Sequence, residues 1–306
     1  MRAVVTAEQG ASPTLAELAT PEPGAGEVLV RVEASSLNGF DTAVAAGYLA
    51  GMMEHRYPVV LGKDFAGTVE AVGDGVTRFA VGDRVFGVVT KAFLGDGGFG
   101  DYVVVGDEVG TAAIPAGLDT VIAGVLGLAG TAAVDALTAS APRAGETVLI
   151  SGATGGVGAI AVQYAAAAGA RVIATARPGA ETDLVRSLGA TEVVDHTGDL
   201  AAQVRDLAPD GVDVVLHLAG DGAALATLLA EKGRLASTLG LGPDQHPAAT
   251  AVMAHPAPAT LDRLAADAAA GRITVPVART YPLAEVPAAF GDFAGGTLGK
   301  LAITFD

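Results

Sequence analysis

Three glycines, Gly152, Gly155 and Gly158, stand three residues apart between an apolar run, "TVLIS", and an alanine-rich segment, "VGAIAVQYAAAAG". A tight turn from strand to helix needs a residue without a side chain, and a pyrophosphate needs close approach to backbone N–H groups. A helix that begins there also offers its N–H groups and a partial positive charge to an anion. The spacing predicts a dinucleotide site; the alternative is an ordinary strand-to-helix turn. The predicted cofactor-binding residues of this turn are Gly152, Ala153, Thr154, Gly155, Gly156, Val157 and Gly158.

The end of the next predicted strand indicates which dinucleotide this site would bind. The strand "RVIAT" ends at Thr175 and is followed by Arg177. NAD-binding sites carry an acidic residue there, about 20 positions beyond the glycines, which accepts a hydrogen bond from the ribose 2′-hydroxyl. An arginine instead holds a 2′-phosphate through charge-assisted hydrogen bonds. We therefore predict NADPH as the cofactor, bound by Thr175 and Arg177; the alternative is that Arg177 is a solvated charge at a strand end.

The apolar pattern divides the chain into units of two kinds. Residues 1–118 contain short strands such as "VLVRVEAS" and "GTVEAVG", separated by Gly, Pro and Asp. Residues 119–257 alternate apolar strands with helices, which is typical of a doubly wound parallel sheet covered on both faces. Residues 258–306 return to the first style, with a helix at "PATLDRLAADAAAG" and strands at "RITVPV" and "GKLAITF". These last strands could complete the sheet of the first unit.

Composition narrows the classes of function. The 306-residue chain has a net charge of −16, which repels nucleic acid and anionic membranes. It has no cysteine, which excludes disulfides and cysteine-ligated metals.

The N-terminus does not resemble a secretory signal, so we expect a cytoplasmic protein. The most apolar window, Thr120 to Val134, is about 15 residues, short of the ~20 that span a bilayer, and is predicted to be a buried helix.

Two long segments carry a resemblance to a known family. "LGKDFAGTVEAVGDGVTRFAVGDRVFG" resembles the signature of medium-chain dehydrogenases/reductases, and "GETVLISGATGGVGAIAVQYAAAAGARVIATA" is similar to the nucleotide-binding segment of that family. "SLGATEVVDH" and the terminal "GKLAITF" fit as well, so the resemblance covers essentially the whole chain. It implies an α/β protein in which residues 1–118 and 258–306 form a GroES-like catalytic domain and residues 119–257 form a Rossmann NADPH-binding domain. It also implies a homodimer through the sheet edge near "TAVMAH".

Zinc-dependent members of this family bind a catalytic metal through a cysteine, a histidine and usually a second cysteine. The matching positions here hold Asn38, Lys63 and about Gly127. This combination does not suit zinc, and a cationic lysine would oppose the metal. The resemblance therefore implies the zinc-free, quinone oxidoreductase-like branch, whose N-x-x-D matches Asn38 to Asp41, with no metal site.

A zinc-free site suits a conjugated acceptor, because hydride arriving at the far carbon places charge on an oxygen that hydrogen bonds can stabilise. We predict NADPH-dependent reduction of a small-molecule quinone or α,β-unsaturated carbonyl (enone). The alternatives are a zinc-free carbonyl or enoyl-thioester reductase, and an NADPH-binding relative without turnover.

The resemblance also implies roles for individual residues. Asn38 is expected near the nicotinamide ribose and the substrate, with Tyr48 and Lys63 as candidate donors to the developing oxyanion. The alternatives are that Tyr48 packs at the rim of the site and that Lys63 forms a salt bridge with Asp64 or another carboxylate. His196 is expected beside the 2′-phosphate and Lys300 at the pyrophosphate. The other cofactor-binding residues implied are Thr131, Leu218, Ala219, Leu239 and Gly240.

Overall fold

The computed structural model of the protein describes residues 1–305. Its strands are β1 (Arg2–Thr6), β2 (Thr14–Glu17), β3 (Glu27–Leu37), β4 (Glu54–His55), β5 (Val59–Val60), β6 (Asp64–Val72), β7 (Arg84–Val88), β8 (Phe93–Leu94), β9 (Tyr102–Gly106), β10 (Thr111–Ala113), β11 (Thr147–Ser151), β12 (Arg171–Thr175), β13 (Glu192–Val194), β14 (Val212–His217), β15 (Leu229–Ser237), β16 (Ala249–Ala251), β17 (Val277–Pro282) and β18 (Lys300–Thr304). Its helices are α1 (Gly39–Ala45), α2 (Thr120–Ser140), α3 (Gly156–Ala167), α4 (Ala180–Ser187), α5 (Leu200–Leu207), α6 (Gly222–Ala226), α7 (Pro258–Ala269) and α8 (Val286–Ala294), with a 3₁₀ turn at Leu283–Glu285.

The chain divides into two compact units. Unit 1 comprises residues 1–128, 256–272 and the described residues from 277 onward, and unit 2 comprises residues 129–255 and 273–276. The sequence predicted boundaries after residues 118 and 257. In the structure the first boundary lies inside α2, between Leu128 and Ala129, because this helix continues from one unit into the other.

Unit 1 is built around a seven-stranded sheet in the order β10-β7-β6-β3-β18-β17, with β9 also paired to β3. The strand β18, near the end of the chain, runs antiparallel to β3, with Leu301 opposite Leu37. The end of the chain therefore completes the sheet of the first unit, as the sequence predicted. One core of this unit lies against β3, whose inward side chains pack with those of neighbouring strands; its buried members include Val28, Val30, Val32, Phe65, Val69, Val85, Val103 and Val105.

The strand predicted at "RITVPV" is wrong. Residues 272–276 have no strand pairing, and β17 begins only at Val277. Pro276 has no N–H to donate to a sheet, which disfavours a strand through it. The Gln163 side chain bonds the backbone of Thr274 instead, accepting from its N–H at 2.7 Å and donating to its carbonyl at 2.8 Å.

Unit 2 contains a six-stranded sheet in the order β13-β12-β11-β14-β15-β16, and every neighbouring pair of strands is parallel. This order, 3-2-1-4-5-6 along the unit, is the Rossmann arrangement. The central strand β11 is buried on both faces, as in a sheet covered by helices on both sides. The predicted fold class is confirmed. Ligands in such sheets bind at the carboxyl ends of the strands, where the strand order reverses.

The apolar helix α2 is longer than the sequence predicted. It has 21 residues, and by length and composition alone it could cross a membrane, so the expectation that it is too short was wrong. Most of its apolar window is buried within the fold, however, including Leu126 and Ala133. The core helices of soluble proteins pass the same test of length and composition. The structure thus places α2 as a buried helix.

Candidate functional site

The glycine turn of unit 2 connects β11 to α3, as predicted. Gly152 has a φ of +77°, in the left-handed region that other residues rarely adopt. A Cβ there would lie 2.9 Å from the Cβ of Ala219. The Gly152 N–H donates to Thr175 Oγ1 at 2.9 Å, which ties the turn to the end of β12. The first glycine and Thr175 therefore fix the shape of the turn.

The other two glycines have different uses. A Cβ on Gly158 would lie 2.2 Å from the carbonyl oxygen of Gly152, so the helix can pack this closely only with glycine there. A Cβ on Gly155 would meet only the Gly152 oxygen, at 3.5 Å, so this position leaves open space. Gly155 is the N-cap of α3, and no side chain caps the first turn of the helix. The backbone N–H groups in the first turn of α3 can therefore bind an anion such as a pyrophosphate.

A cavity of about 360 Å³ lies beside the turn, at the carboxyl ends of β11, β12 and β14. Much of its wall is apolar and comes from α5, α6 and the loops before α6 and β15: Leu200, Ala201, Ala219, Ala224, Leu225 and Leu228. Two polar residues of the wall are bonded within the protein. Ser151 Oγ donates to the Ala219 carbonyl at 2.6 Å, and Asp221 accepts from the N–H groups that begin α6. The cavity therefore suits a flat, mostly apolar group such as a nucleobase.

Sequence reasoning found part of this cavity. The predicted residues that line it are Gly152, Thr154, Thr175, His196 and Ala219. The residues of α5 and α6 were missed, although a signal existed, because Asp199 and Asp221 each stand as an N-cap before a short helix. Which face of each helix meets the cavity depends on how it packs on the sheet, and the motif does not encode this.

Arg177 lies beyond the end of β12 with a partner that the sequence analysis also missed. Its Nε donates to Glu181 Oε1 at 2.6 Å, and its backbone N–H donates to Glu181 Oε2 at 2.6 Å. Burial acts to raise the pKa of the Glu181 carboxyl, but these bonds outweigh it and hold the pKa below its ordinary value. His196 Nε2 lies 3.9 Å from Glu181 Oε2. The predicted 2′-phosphate residues are thus neighbours, with a carboxylate between them.

The remaining predicted cofactor-binding residues lie outside the cavity of unit 2. Thr131 is fully buried in α2, and Leu218 directly follows β14. Leu239 is 56% exposed, and Gly240 has a φ of +85° in the loop after β15. Their roles toward a cofactor stay predictions.

Unit 1 contains a buried cluster of polar side chains around Asp64, which is fully buried at the start of β6. Asp64 Oδ2 accepts from Asn38 Nδ2 at 2.8 Å and from the Ser36 hydroxyl. Asp64 Oδ1 accepts from the Leu128 N–H at 2.7 Å. The carboxylate is thereby supplied with three donors from two segments of the chain, residues 36–38 and Leu128.

Lys300 brings a positive charge to this cluster. Its Nζ donates to Asn38 Oδ1 at 2.5 Å and to the Leu37 carbonyl at 3.2 Å, and it lies 3.6 Å from Asp64 Oδ2. The residue is only 4% exposed, and burial lowers the pKa of its ammonium while Asp64 opposes the shift. We predicted Lys300 at the pyrophosphate. The structure instead directs its ammonium to buried partners within unit 1, and the pyrophosphate role stays a prediction.

Lys63 and Tyr48, the candidate proton donors, have different surroundings. Lys63 Nζ donates to the Val89 carbonyl at 2.6 Å, and burial lowers the pKa of its ammonium. Asp64 forms its ion pair with Lys300, at 3.6 Å, while the charges of Asp41 and Asp64 oppose the lowering of the Lys63 pKa. Tyr48 lies in the turn after α1 and is 78% exposed. Within unit 1, Lys63 is the donor that is partly removed from water.

Asp41 completes the cluster. Its carboxylate accepts from the Asn38 N–H at 2.9 Å, in a capping box at the start of α1. Burial raises the pKa of the Asp41 carboxyl to about 7, and the nearby negative charge of Asp64 raises it as well.

The positions that match zinc ligands do not fit a zinc ion. The Asn38 amide is bonded to Asp64 and Lys300, and Lys63 is a cation. A Cβ on Gly127 would lie 2.7 Å from the Gly87 carbonyl oxygen and 2.9 Å from Asp64 Oδ1, so no ligating side chain has room there. Zinc sites use thiolate, imidazole and carboxylate ligands. Among residues 1–305, no group of three or more His, Cys, Asp or Glu side chains could hold a metal ion.

Asp41→Asn tests the raised pKa of Asp41. Between the ordinary pKa of 3.8 and about 7, the unfolded chain releases the Asp41 proton while the folded chain keeps it. The folded state is therefore penalised as the pH rises through this window. Asn keeps an acceptor for the Asn38 N–H but cannot ionise. The free energy of unfolding of Asp41→Asn, minus that of the wild type, should rise with pH across the window in urea titrations. A difference that does not change with pH would contradict the assignment.

Two protein families match the chain. Residues 24–116 match the alcohol dehydrogenase GroES-like domain, and residues 156–257 match the zinc-binding dehydrogenase family. The first match lies in unit 1. The second begins at α3 and continues past β16.

Two similar proteins differ greatly in length. A segment of the mycocerosic acid synthase-like polyketide synthase of Mycobacterium tuberculosis is 41% identical over 217 residues, covering 69% of this chain. The chain spans about a tenth of the length of that synthase, since the match covers 10% of it. The quinone oxidoreductase of Rattus norvegicus is 35% identical over 224 residues, covering 71% of this chain and 66% of the rat protein.

Solved structures resemble the whole chain. An alcohol dehydrogenase superfamily protein from Novosphingobium aromaticivorans is 33% identical, with a TM-score of 0.86 and all of both chains covered. A mycobacterial protein complexed with NADPH is 29% identical, with a TM-score of 0.85 and 99% of each chain covered. With its Rossmann sheet, its glycine turn and these relatives, the chain belongs to the medium-chain dehydrogenase/reductase family and is quinone oxidoreductase-like.

Proposed function

We propose that this protein is an NADPH-dependent, zinc-independent oxidoreductase that reduces quinones or α,β-unsaturated carbonyls. The observation that carries the choice of chemistry is what stands at the positions of the zinc ligands: an Asn38 amide bonded to Asp64 and Lys300, the ammonium of Lys63, and Gly127, which has no side chain. Without a Lewis acid on its oxygen, an acceptor must delocalise the incoming electron pair. A conjugated acceptor does this, because the charge moves to an enolate or phenolate oxygen.

The cofactor proposal rests on unit 2. The open helix start at Gly155 and the neighbouring cavity suit a pyrophosphate and a base, respectively. Arg177 carries an exposed guanidinium just beyond β12, the region in which a Rossmann unit recognises the ribose 2′ position, and this supports NADPH over NADH. The similar mycobacterial structure complexed with NADPH supports the same choice. When bound, this cofactor supplies a hydride to the far carbon of the conjugated acceptor.

The hydrogen bonds of Asn38 limit its role. Its two amide hydrogens are used, one by the Ser36 carbonyl at 3.1 Å and one by Asp64. Its Oδ1 accepts from Lys300, which leaves only further acceptor capacity on that oxygen. Asn38 can therefore orient a hydroxyl group by accepting from it. It cannot donate to an oxyanion without giving up an internal bond.

Lys63 is the better proton donor to the product. An ammonium has three N–H donors, and the structure uses one of them for the Val89 carbonyl. Its lowered pKa makes proton release easier than from an ordinary lysine. A proton from Lys63 would go to the enolate or phenolate oxygen, and solvent would then restore the ammonium.

A second candidate function is the reduction of an enoyl thioester. It is favoured by the 41% identity to a segment of a polyketide synthase. A conjugated thioester needs the same hydride and the same charge stabilisation at oxygen, so the two functions differ in how the distal part of the substrate is bound.

A panel of acceptors distinguishes these functions. Oxidation of NADPH would be followed with a naphthoquinone, an enone, a crotonyl thioester and a saturated aldehyde. We expect turnover with the conjugated acceptors and none with the aldehyde. Turnover of the aldehyde alone would contradict the proposal. Preference for the thioester would select the second candidate, and tight NADPH binding without any turnover would indicate a relative that is not an enzyme.

Removal of metal tests zinc independence. We expect dialysis against a chelator, or addition of Zn²⁺, to leave the rate of quinone or enone reduction unchanged, because the residues at the ligand positions do not suit zinc. Metal content would be measured on the same samples. Loss of activity with the chelator, restored by Zn²⁺, would overturn this part of the proposal.

The donor role of Lys63 is tested with Lys63→Met, and Tyr48→Phe is the matched control. In single-turnover experiments at saturating NADPH, we expect Lys63→Met to slow hydride transfer about 100-fold, in the range of general acid catalysis, and Tyr48→Phe to have little effect. The wild-type rate should fall as the pH rises through the lowered pKa of Lys63, because the donor is then deprotonated. Unchanged rates in both variants would remove side-chain acid catalysis, and a slow Tyr48→Phe alone would transfer the role to Tyr48.

A further inference from the structure

A buried carboxylate lies at the end of β12, under the arginine that is proposed to select the cofactor. Glu181 stands in the first turn of α4 and is only 8% exposed. Its Oε1 accepts from Arg177 Nε at 2.6 Å and lies 2.5 Å from Nη2. Its Oε2 accepts from the Arg177 backbone N–H at 2.6 Å. Each oxygen of the carboxylate is therefore held by the same residue.

The position of Glu181 in the fold indicates what the Arg177–Glu181 pair does. In a Rossmann unit, an acidic side chain just beyond the second strand accepts from the ribose 2′-hydroxyl and repels a 2′-phosphate. Glu181 lies in that region, six residues after the end of β12 at Thr175. With Arg177 in place, however, the carboxylate is covered, and the group presented to solvent is a guanidinium whose side chain is 57% exposed.

The geometry of the guanidinium allows it to serve two anions. Arginine is a planar fork that can bind a different anion on each of its edges. The Nε–Nη2 edge of Arg177 faces Glu181. Within residues 1–305, Nη1 has no hydrogen-bond partner, so the other edge can bind a phosphate. Glu181 thus fixes the plane of the guanidinium while it cancels part of its charge.

We propose that Glu181 is a specificity-determining residue: a carboxylate of the NAD-binding type that Arg177 masks, so that the pair sets the preference between NADPH and NADH. The inference rests on the proposed nicotinamide cofactor. Loss of Arg177 would do more than remove one phosphate contact. It would uncover an anion that repels the 2′-phosphate and accepts from the 2′-hydroxyl of NADH.

Two other titratable groups face this pair. His196 lies on the cavity, with Nε2 at 3.9 Å from Glu181 Oε2, and would add a positive charge when protonated. The Asp195 carboxylate acts on Arg177 through its negative charge, and it accepts from the N–H and hydroxyl of Thr197. Binding would therefore be measured at pH 8 and fixed ionic strength, where an ordinary histidine is neutral.

The test uses the full chain and two small probes of the adenosine half, adenosine 2′,5′-bisphosphate and AMP, measured by calorimetry. The proteins are the wild type, Arg177→Ala, Glu181→Gln and the double variant. We expect Arg177→Ala to weaken the bisphosphate about 100-fold, near the upper range for one charged hydrogen bond, and to tighten AMP several-fold. When Glu181→Gln is already present, we expect Arg177→Ala to reduce the affinity for the bisphosphate by a factor about fivefold smaller than in the wild type. In that background Arg177→Ala should not increase the affinity for AMP.

The outcomes distinguish the NADPH proposal from the role of Glu181. A wild type that binds the bisphosphate no better than AMP would overturn the NADPH proposal. An equal effect of Arg177→Ala with and without the Glu181→Gln substitution would overturn the role of Glu181, whichever cofactor is preferred. Glu146→Gln is the matched control, because Glu146 pairs with Arg234 elsewhere in unit 2, and it should leave both affinities unchanged. Should Glu181→Gln fail to fold, Glu181→Asp withdraws the carboxylate by one methylene, and the AMP gain should again be lost.

Discussion

The buried ion pair between Lys300 and Asp64 lies in a cluster that connects four segments of unit 1, at residues 36–38, 64, 128 and 300. An isolated charge in the interior of a protein is costly, and it persists only when it is paired and hydrogen-bonded. Here the ammonium meets Asn38, the Leu37 carbonyl and Asp64, while Asp64 takes further bonds from Ser36 and Leu128. Removal of one partner would leave the other charge uncompensated, at a cost of about 3–5 kcal/mol. Each group of the cluster is therefore constrained by the others.

This constraint bears on the chemistry that unit 1 can perform. A zinc site is built from ligands that supply electron pairs to the metal. In this chain the Asn38 amide is already bonded to Asp64. A side chain at Gly127 would collide with the Gly87 carbonyl oxygen and the Asp64 carboxylate. The cluster provides a fixed positive charge and a fixed amide. Both groups are held by bonds within the protein, so they position one another and do not polarise a bound molecule as a Lewis acid would.

In unit 2, the features of the proposed cofactor site are formed by residues that are close together in the sequence. Its glycine turn owes its shape to three residues within seven positions: Gly152 for its backbone conformation, Gly158 for close packing and Gly155 for an open helix start. The pair of Arg177 and Glu181 is also local, since these residues are four positions apart. The i, i+4 spacing of an arginine and a glutamate was visible in the sequence, and it could have indicated that Arg177 has a carboxylate partner.

The sequence by itself determined the order of elements, the parallel sheet of unit 2, the glycine turn and the family, because these depend on apolar periodicity and on glycines at close spacing. It also placed β18 with the first unit. It failed at residues 272–276, where Pro276 and the Gln163 side chain replace a strand, and at the length of α2. Only the tertiary structure decided which charges meet: Lys300 bonds Asn38 across 262 positions, and Asp64 forms its ion pair with Lys300 and not with the neighbouring Lys63. Long-range pairing depends on the register of β18 against β3 and on burial, and no local pattern encodes either of them.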